Sequence, residues 1–342
     1  MALPDFHDVE RAAARLKGIA RETPVQTSKQ LDARSHATAF LKCENFQRVG
    51  AFKFRGAYNA VTQRSSSKPV VALSSGNHAQ GIALACRLSG KEAHLVMPEP
   101  VNPIKRAAVQ EYGGIVHVPD DPRDAESFSQ ELVREVQGEW VEAFNDPDVI
   151  AGQGTAALEL LGYVPDLDVL LGPIGGGGLL SGTCLTAHGI NPNIRVYACE
   201  PAGALDALYS VRENRVVPQE HPRTIAEGLR TSVGTLTLPI LRDHLAGFFV
   251  VEEEEIVAAM RFVYERMKLV IEPASAVAVA PLLRQEPALQ GKRVGVIISG
   301  GNVDLSQYFD GLTGGTTEGT SDLLHYRAQG CVVSSLNPHL FL

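Results

Sequence analysis

The sequence has few cysteines and one tryptophan, and it contains neither a long apolar run nor a basic run. Its five cysteines, spread over 342 residues, are odd in number, which argues against a disulfide framework and a CxxC metal or redox site. No stretch approaches the roughly 20 apolar residues of a membrane span, and the first residues lack the pattern of a secretory signal. The net charge of -8 argues against a nucleic-acid or anionic-membrane partner. We therefore expect a cytoplasmic protein with neither partner.

Short runs rich in branched residues alternate along the chain with longer helical patterns. Eight runs are strand candidates: 39–43, 70–74, 93–97, 114–118, 169–173, 195–199, 247–251 and 293–299. This alternation predicts an α/β architecture with parallel sheets that are covered on both faces. Residues 220–239 have no clear periodicity, so we expect a loop that packs over a site.

A strand, four consecutive glycines and an apolar helix are predicted in "LLGPIGGGGLLSGTCLTAHG", residues 170–189. Glycines at a strand-to-helix turn let backbone N–H groups approach an anion, and the start of the helix adds positive partial charge. The segment indicates a phosphate site, and the alternative is a tight turn without a ligand. A P-loop would need GK[ST] after the glycines, but Leu179 and Leu180 follow them. The GxGxxG spacing of dinucleotide sites does not fit either.

Lys53 lies between two phenylalanines in "GAFKFRGAYNA", at the predicted start of a helix with an apolar stripe. Lysine is seldom buried, because its ammonium group loses hydration. Burial lowers the pKa of an amine, and a neutral amine can condense with an aldehyde. A phosphate site together with such a lysine suggests pyridoxal phosphate as the cofactor.

Six motifs in order along the chain resemble those of the fold type II pyridoxal-phosphate enzymes: "GAFKFRGA", "SSGNHAQG", "AGQGT", "GPIGGGG", "EPASA" and "SGGNVD". They are most similar to the serine racemase and serine/threonine dehydratase branch. The resemblance implies a tryptophan synthase β-like fold, in which two parallel-sheet domains hold the cofactor in their cleft. We expect a large domain of residues 1–68 and 147–315, a small domain of 69–146, and a flexible tail of 316–342.

The resemblance also implies which residues contact the cofactor: Phe52, Lys53, Asn77, Asn145, Gly175, Gly176, Gly177, Gly178 and Ser299. Lys53 matches the lysine that bonds to the cofactor, and Asn77 matches the asparagine at its ring hydroxyl. Ser299 matches the residue facing the pyridine nitrogen, which a serine can hydrogen-bond but not protonate as an aspartate would. A neutral pyridine is a weaker electron sink, which favours prompt loss of a β-hydroxyl group.

Catalytic and substrate-binding roles follow from the same resemblance. Lys53 and Ser75 match two bases on opposite faces of the substrate Cα, the pair that racemisation needs. The expected substrate contacts are Ser74, Ser75, Gly76, Asn77, His78, Arg123 and Glu227. The alternative for Arg123 is a solvated residue at a helix start, and the alternative for His78 is a helix-start contact.

Glu200, Ala204 and Asp206 in "CEPAGALD" match the divalent-cation site of the family. Two carboxylates and a backbone carbonyl suit a hard cation such as Mg²⁺ or Ca²⁺. Without the resemblance, these residues would be interpreted as a solvated helix start.

The predicted reaction is α,β-elimination of L-serine or L-threonine to a 2-oxo acid and ammonia, with serine racemisation as a partner or competing activity. One alternative is dehydration of 3-hydroxyaspartate, for which Arg123 or Arg230 would supply a cation for the second carboxylate. A non-enzymatic alternative is a sensor that binds a phosphate ligand. The resemblance further implies a homodimer that acts on a small amino acid.

Overall fold

Ten strands form in the part of the chain that the structure, a computed structural model, describes: residues 3–65, 67–101 and 103–304. The eight longer strands lie on the eight predicted runs, whereas β1 and β6 have two residues each and were not predicted. The strands are β1 Val25–Gln26, β2 Thr38–Cys43, β3 Val70–Leu73, β4 Ala93–Val96, β5 Ile115–His117, β6 Glu139–Trp140, β7 Val169–Pro173, β8 Arg195–Pro201, β9 Leu245–Val251 and β10 Arg293–Ile298.

Helices separate most of these strands, as the alternating pattern predicts. Within the described residues they are α1 Phe6–Leu16, α2 Lys29–Ser35, α3 Lys53–Gln63, α4 Asn77–Leu88, α5 Pro103–Glu111, α6 Ala125–Glu135, α7 Pro147–Tyr163, α8 Gly178–Ile190, α9 Asp206–Glu213, α10 Thr237–His244, α11 Glu253–Phe262, α12 Pro273–Ala276 and α13 Ala280–Leu283. The aperiodic region 220–239 is mostly irregular, but it contains a one-turn helix at Glu227–Leu229 and the start of α10.

The larger sheet has six strands in the order β1-β2-β10-β7-β8-β9. Only the pairing of β1 with β2 is antiparallel. Every residue of the central strand β7 is buried. This agrees with helices covering both faces of the sheet, because a parallel strand between two helical layers has no solvent-facing side.

The smaller sheet has four parallel strands in the order β5-β4-β3-β6. Its core is built from small and branched side chains of α3, α4 and the strands, among them Ala57, Ile82 and Leu95. The α/β fold class with parallel sheets is thus confirmed. All four strands lie inside the predicted small domain, although the domain boundaries stay a prediction. The predicted tail, 316–342, falls outside the described residues.

The start of α7 shows how local sequence sets an element boundary next to the cleft. The Asp146 side chain accepts hydrogen bonds from the backbone N–H groups of Asp148 (2.8 Å) and Val149 (3.2 Å). Pro147 occupies the first helical position, where no intrahelical donor is needed. Asn145 is therefore the last residue before this cap.

Candidate active site

Four segments of the candidate site directly follow the carboxyl ends of parallel strands. Asn77 comes shortly after β3, Asn145 after β6, Gly175 after β7 and Ser299 after β10. In open parallel sheets the carboxyl ends are where ligands bind, because the loops there are free to converge.

Lys53 is the first residue of α3, as the sequence predicts. The chain before Lys53 is held at the end of β10. Phe52 N–H donates to the Ser299 carbonyl (2.9 Å), and Ala51 forms an isolated antiparallel β-bridge with Gly300. The Nζ atom donates to the carbonyl of Ala143 (2.8 Å), a residue just after β6. The amine therefore joins a segment next to the larger sheet with one from the smaller sheet.

The pKa of Lys53 is lowered to about 8, because burial removes water from the ammonium form. The negative charge of Glu272 opposes this shift but does not cancel it. About a tenth of an amine with such a pKa is neutral at pH 7, far more than of an ordinary lysine, and the neutral amine is the form required of a nucleophile.

Glu272, within the motif "EPASA", is a site residue whose role the sequence did not predict. Its two carboxylate oxygens accept from Asn77 Nδ2 at 3.1 and 3.0 Å. The oxygen of the Asn77 amide accepts from Asn302 Nδ2 (2.9 Å), so both ends of that amide are held. Burial raises the pKa of Glu272 to about 6. Only a pairing in space reveals this carboxylate, because 195 residues separate it from Asn77.

The glycine turn, Gly175–Gly178, leads directly from β7 into α8. Gly177 has a φ of +87°, a left-handed conformation that favours glycine. A methyl group on Gly176 would overlap the ring of Phe144, and one on Gly175 would lie 3.0 Å from the Gly228 carbonyl. The turn is thus closely enclosed, and the first N–H groups of α8 have no acceptor within the helix, as at any helix start.

Asn145 is held against the segment that enters α10. Its Oδ1 accepts from Leu236 N–H (2.8 Å), and its Nδ2 donates to Thr235 Oγ1 (3.1 Å). Thr237 Oγ1 donates to the Gly176 carbonyl (2.9 Å), which joins the same segment to the glycine turn. Asn145 and the glycine turn therefore share one support.

Ser299 is buried at the end of β10, where its hydroxyl lies 3.0 Å from that of Ser275. Ser275 also contacts Gly300, accepting from its N–H (2.8 Å) and donating to its carbonyl (2.7 Å). The Ser299 hydroxyl is thus set in a polar position inside an apolar strand end. This suits a hydrogen bond to one heteroatom of a ligand.

The segment Ser74–His78 opens α4. Gly76 N–H donates to Ser74 Oγ (3.2 Å), and Ser75 is exposed. His78 is buried, and neither of its ring nitrogens has a hydrogen-bond partner within the part of the chain that the structure describes. Burial, followed by the charge of Lys53, lowers the pKa of His78 to about 3. A neutral imidazole therefore lies near the amine.

Two predicted substrate contacts, Arg123 and Glu227, form ion pairs of their own. Arg123 is in a one-turn helix, its side chain is 88% exposed, and it forms a two-pronged contact with Asp121. This resembles the solvated alternative given for Arg123, and its role as a substrate contact stays a prediction. Glu227 forms an ion pair with Lys105 of α5.

The predicted cation ligands lie where β8 ends and α9 begins. Glu200 accepts from Ala207 N–H (2.8 Å) and Leu208 N–H (3.1 Å), so it caps the helix. Asp206 Oδ1 accepts from Gln219 (2.9 Å), whereas its buried Oδ2 has no hydrogen-bond partner among the described residues. Burial raises the pKa of Glu200 to about 8 and that of Asp206 to about 6. No cluster of three or more His, Cys, Asp or Glu suited to a metal occurs in residues 3–304 as described.

Comparison with known proteins gives consistent matches over most of the chain. Residues 16–300 match the family model described as "Pyridoxal-phosphate dependent enzyme". The L-threo-3-hydroxyaspartate ammonia-lyase of Pseudomonas sp. is 43% identical, over 92% of this chain and 100% of that protein. The serine racemase of Dictyostelium discoideum is 42% identical, over 90% and 97%. The solved structure of maize serine racemase has a TM-score of 0.87 at 37% identity, covering 95% of this chain and 100% of that one.

Among the described helices, none has the length and apolar character to cross a membrane.

Proposed function

Because this chain belongs to the pyridoxal-phosphate dependent enzymes of fold type II, in the family of serine racemases and amino-acid dehydratases, we propose that it acts on a small β-hydroxy amino acid. The proposed reaction is α,β-elimination of L-serine or L-threonine to a 2-oxo acid and ammonia, with serine racemisation as a second outcome. Dehydration of 3-hydroxyaspartate is the other candidate, and three relatives with 41–44% identity bear names of that activity.

The observation that carries the proposal is the position of Lys53. Its side chain is half-buried at the start of α3, its amine donates to the Ala143 carbonyl, and its pKa is lowered to about 8. An amine in this state can attack a carbonyl carbon and can later accept a proton from an adjacent carbon.

The residues present fit pyridoxal phosphate. The enclosed glycine turn and the start of α8 suit its phosphate group, and Ser299 offers one hydroxyl for the ring nitrogen. Phe52 lies beside Lys53, whose Nζ is 5.3 Å from the centre of that ring. Asn77 and Asn145 would lie beside the rest of the ring, and Asn145 Nδ2 has a second hydrogen besides the one that it donates to Thr235. When bound, the cofactor supplies an aldehyde and a conjugated ring that takes up electrons released at the substrate Cα.

The chain's own groups would then divide the proton transfers. Lys53 would take the proton from Cα on one face, and the exposed hydroxyl of Ser75 would face the other. The backbone N–H groups that open α4 would bind the substrate carboxylate, because the start of a helix carries positive partial charge. Elimination needs only the lysine side, whereas racemisation needs both faces.

We assign Glu200, Ala204 and Asp206 to a Mg²⁺ or Ca²⁺ site that supports the structure rather than the chemistry. The buried Asp206 Oδ2 without a partner supports this assignment, since such an oxygen is costly unless a ligand satisfies it. The carboxylates and a main-chain oxygen are the ligand types that these cations prefer. We also propose a homodimer in the cytoplasm. The four described cysteines, all free and buried, are compatible with a reducing compartment.

Reduction with borohydride tests the proposal directly. The purified protein loaded with pyridoxal phosphate should be yellow and should lose this colour on reduction. Reduction leaves the cofactor permanently bonded to the lysine, so the peptide that contains Lys53 should carry the cofactor as a label. The protein would be incubated with L-serine, D-serine, L-threonine and 3-hydroxyaspartate. Elimination should yield a 2-oxo acid, and racemisation of serine should yield its other enantiomer. A Lys53→Ala protein that stays yellow after dialysis would contradict the assignment, and a wild-type protein without a lysine-linked chromophore would favour the sensor.

A further inference from the structure

A lysine on a helix that packs against the smaller sheet contacts a glutamate of the segment between β8 and β9 of the larger sheet. Lys105 lies on α5, and its Nζ donates to Glu227 in the one-turn helix Glu227–Leu229. The Lys105 side chain is 19% exposed and that of Glu227 is 53% exposed. The lysine is therefore the inner partner of this pair.

The pair adjoins the glycine turn of the candidate site. The charges of Lys105 and Glu227 also act on the pKa of Glu272, in opposite directions, while burial is the main cause that raises this pKa. Glu272 in turn contacts Asn77. On the other side, Gly228 follows Glu227, and a methyl group added to Gly175 of the glycine turn would lie 3.0 Å from the Gly228 carbonyl. Lys105 is thus a cation that contacts the segment adjoining the glycine turn.

The two arginines named from the sequence do not occupy this place. Arg123 contacts Asp121 at the surface, and Arg230 donates from Nε and Nη2 to the Thr224 carbonyl at 2.9 and 2.6 Å. A second carboxylate on a substrate would need a cation inside the cleft. Lys105 is a cation on α5 that already holds a carboxylate there.

We propose that Lys105 is a specificity-determining residue that binds the distal carboxylate of a β-hydroxy dicarboxylic amino acid such as 3-hydroxyaspartate. Glu227 is the carboxylate that occupies Lys105 when the substrate has no second acid group. This inference rests on the proposed function and selects between its two candidate substrates. The exchange of one carboxylate for another is favourable because the present pair is half-exposed and weak, whereas a bound substrate would exclude water.

Kinetics with the cofactor-loaded enzyme test the proposal through a ratio. The quantity is kcat/KM for L-threo-3-hydroxyaspartate divided by kcat/KM for L-serine. Lys105→Gln should lower this ratio about 10- to 100-fold, because a charged hydrogen bond to the distal carboxylate is lost. Lys105→Arg should keep most of it. Glu227→Gln should raise it several-fold, because the competing carboxylate is removed.

Arg106→Gln is the matched control. Arg106 is the next residue on α5 and forms its own ion pair with Glu99, so this variant removes one positive charge from the same helix. It should leave the ratio within about twofold. Equal ratios in Lys105→Gln and Arg106→Gln would overturn the proposal, as would a Lys105→Arg variant no better than Lys105→Gln.

Inhibitor binding gives a readout that does not depend on turnover. By calorimetry, succinate should bind the loaded wild-type protein at least tenfold more tightly than butyrate, and Lys105→Gln should remove this difference. In the contrary case, the wild-type enzyme acts on L-serine but not on 3-hydroxyaspartate, and binds succinate no more tightly than butyrate. That result would overturn the inference and leave the proposed function intact. Absence of Lys53 labelling and of turnover with every substrate would instead overturn the proposed function.

Discussion

Arg55 and Glu44 form an ion pair in which both side chains are completely buried. The guanidinium donates from Nε to one carboxylate oxygen (2.7 Å) and from Nη2 to the other (2.8 Å). Glu159 accepts from the same guanidinium, and Lys42 donates to Glu159. Because Arg55 is two residues after Lys53, this network fixes the first turn of α3 while Lys53 faces the cleft.

Arg55→Met should therefore destabilise the protein strongly. The substitution leaves Glu44 as an unpaired buried carboxylate, and breaking one side of a buried pair costs about 3–5 kcal/mol. Urea unfolding followed by circular dichroism measures the change. Arg11→Met is the control, since its pair with Asp8 is exposed and removal should cost about 0–1 kcal/mol. Similar losses in the two variants would contradict a special role for the buried network.

Glu272→Gln should shift the pH at which the apoenzyme takes up pyridoxal phosphate. Covalent attachment needs the neutral amine of Lys53, so the rate should rise with pH through about 8. At that pH Glu272, with a pKa of about 6, is ionised and holds the Lys53 pKa up. Its neutralisation should move the midpoint to lower pH, by about half to one pH unit for a loss of about 1 kcal/mol.

Absorbance of the cofactor band during reconstitution measures this midpoint. Glu254→Gln serves as the control, because Glu254 is exposed in the first turn of α11. A midpoint that stays in place in Glu272→Gln, or moves to higher pH, would show that Glu272 does not act on the amine in this way.

Gly176→Ala should weaken both folding and cofactor binding. The added methyl group would overlap the Phe144 ring, and overpacking of this kind costs about 1–3 kcal/mol. The double variant Gly176→Ala/Phe144→Ala should recover part of the loss, because it removes the obstructing ring. Gly162→Ala is the control, since no atom lies within 4 Å of the added methyl group and alanine favours a helix.

Unfolding in urea and titration with pyridoxal phosphate would be compared across these proteins. The proposed conflict between Gly176 and Phe144 requires the double variant to bind the cofactor more tightly than Gly176→Ala alone. If it binds no better, the effect of residue 176 acts through another contact.

The eight longer strands, the glycine turn and the position of Lys53 could be predicted from the sequence, because each depends on a local pattern of residues. The two-residue strands β1 and β6 could not, since two residues carry no periodicity and their pairing is set by neighbours in the sheet. Partners distant along the chain were likewise missed. The Lys53 amine donates a hydrogen bond to the Ala143 carbonyl. Because every residue has a main-chain carbonyl, the type of residue at position 143 does not reveal this partner.

The same limit applies to charged residues near the cleft. The sequence indicated Arg123 and Arg230 as possible cations for a second carboxylate, whereas it is Lys105 that pairs with Glu227 next to the glycine turn. A lysine on an amphipathic helix such as α5 looks like any solvated residue in the sequence. Its relation to Glu227, 122 positions away, depends on the packing of the two sheets.

Stabilisation by Mg²⁺ or Ca²⁺ should increase with pH between about 6 and 8. Burial raises the pKa of Asp206 from 3.8 to about 6 and that of Glu200 from 4.5 to about 8. Because both folded-state values exceed the unfolded ones, the protein without cation loses stability as pH rises from about 4 to 8. A cation that binds the ionised carboxylates offsets this loss, by about 2.7 kcal/mol at a hundred times its Kd.

Thermal unfolding at pH 6, 7 and 8, with cation or EDTA, measures the difference. Asp206→Asn should abolish it, whereas Asp243→Asn, at an exposed pair with Arg242, should retain it. A cation effect that is equal in both variants, or that declines toward pH 8, would place the ion elsewhere.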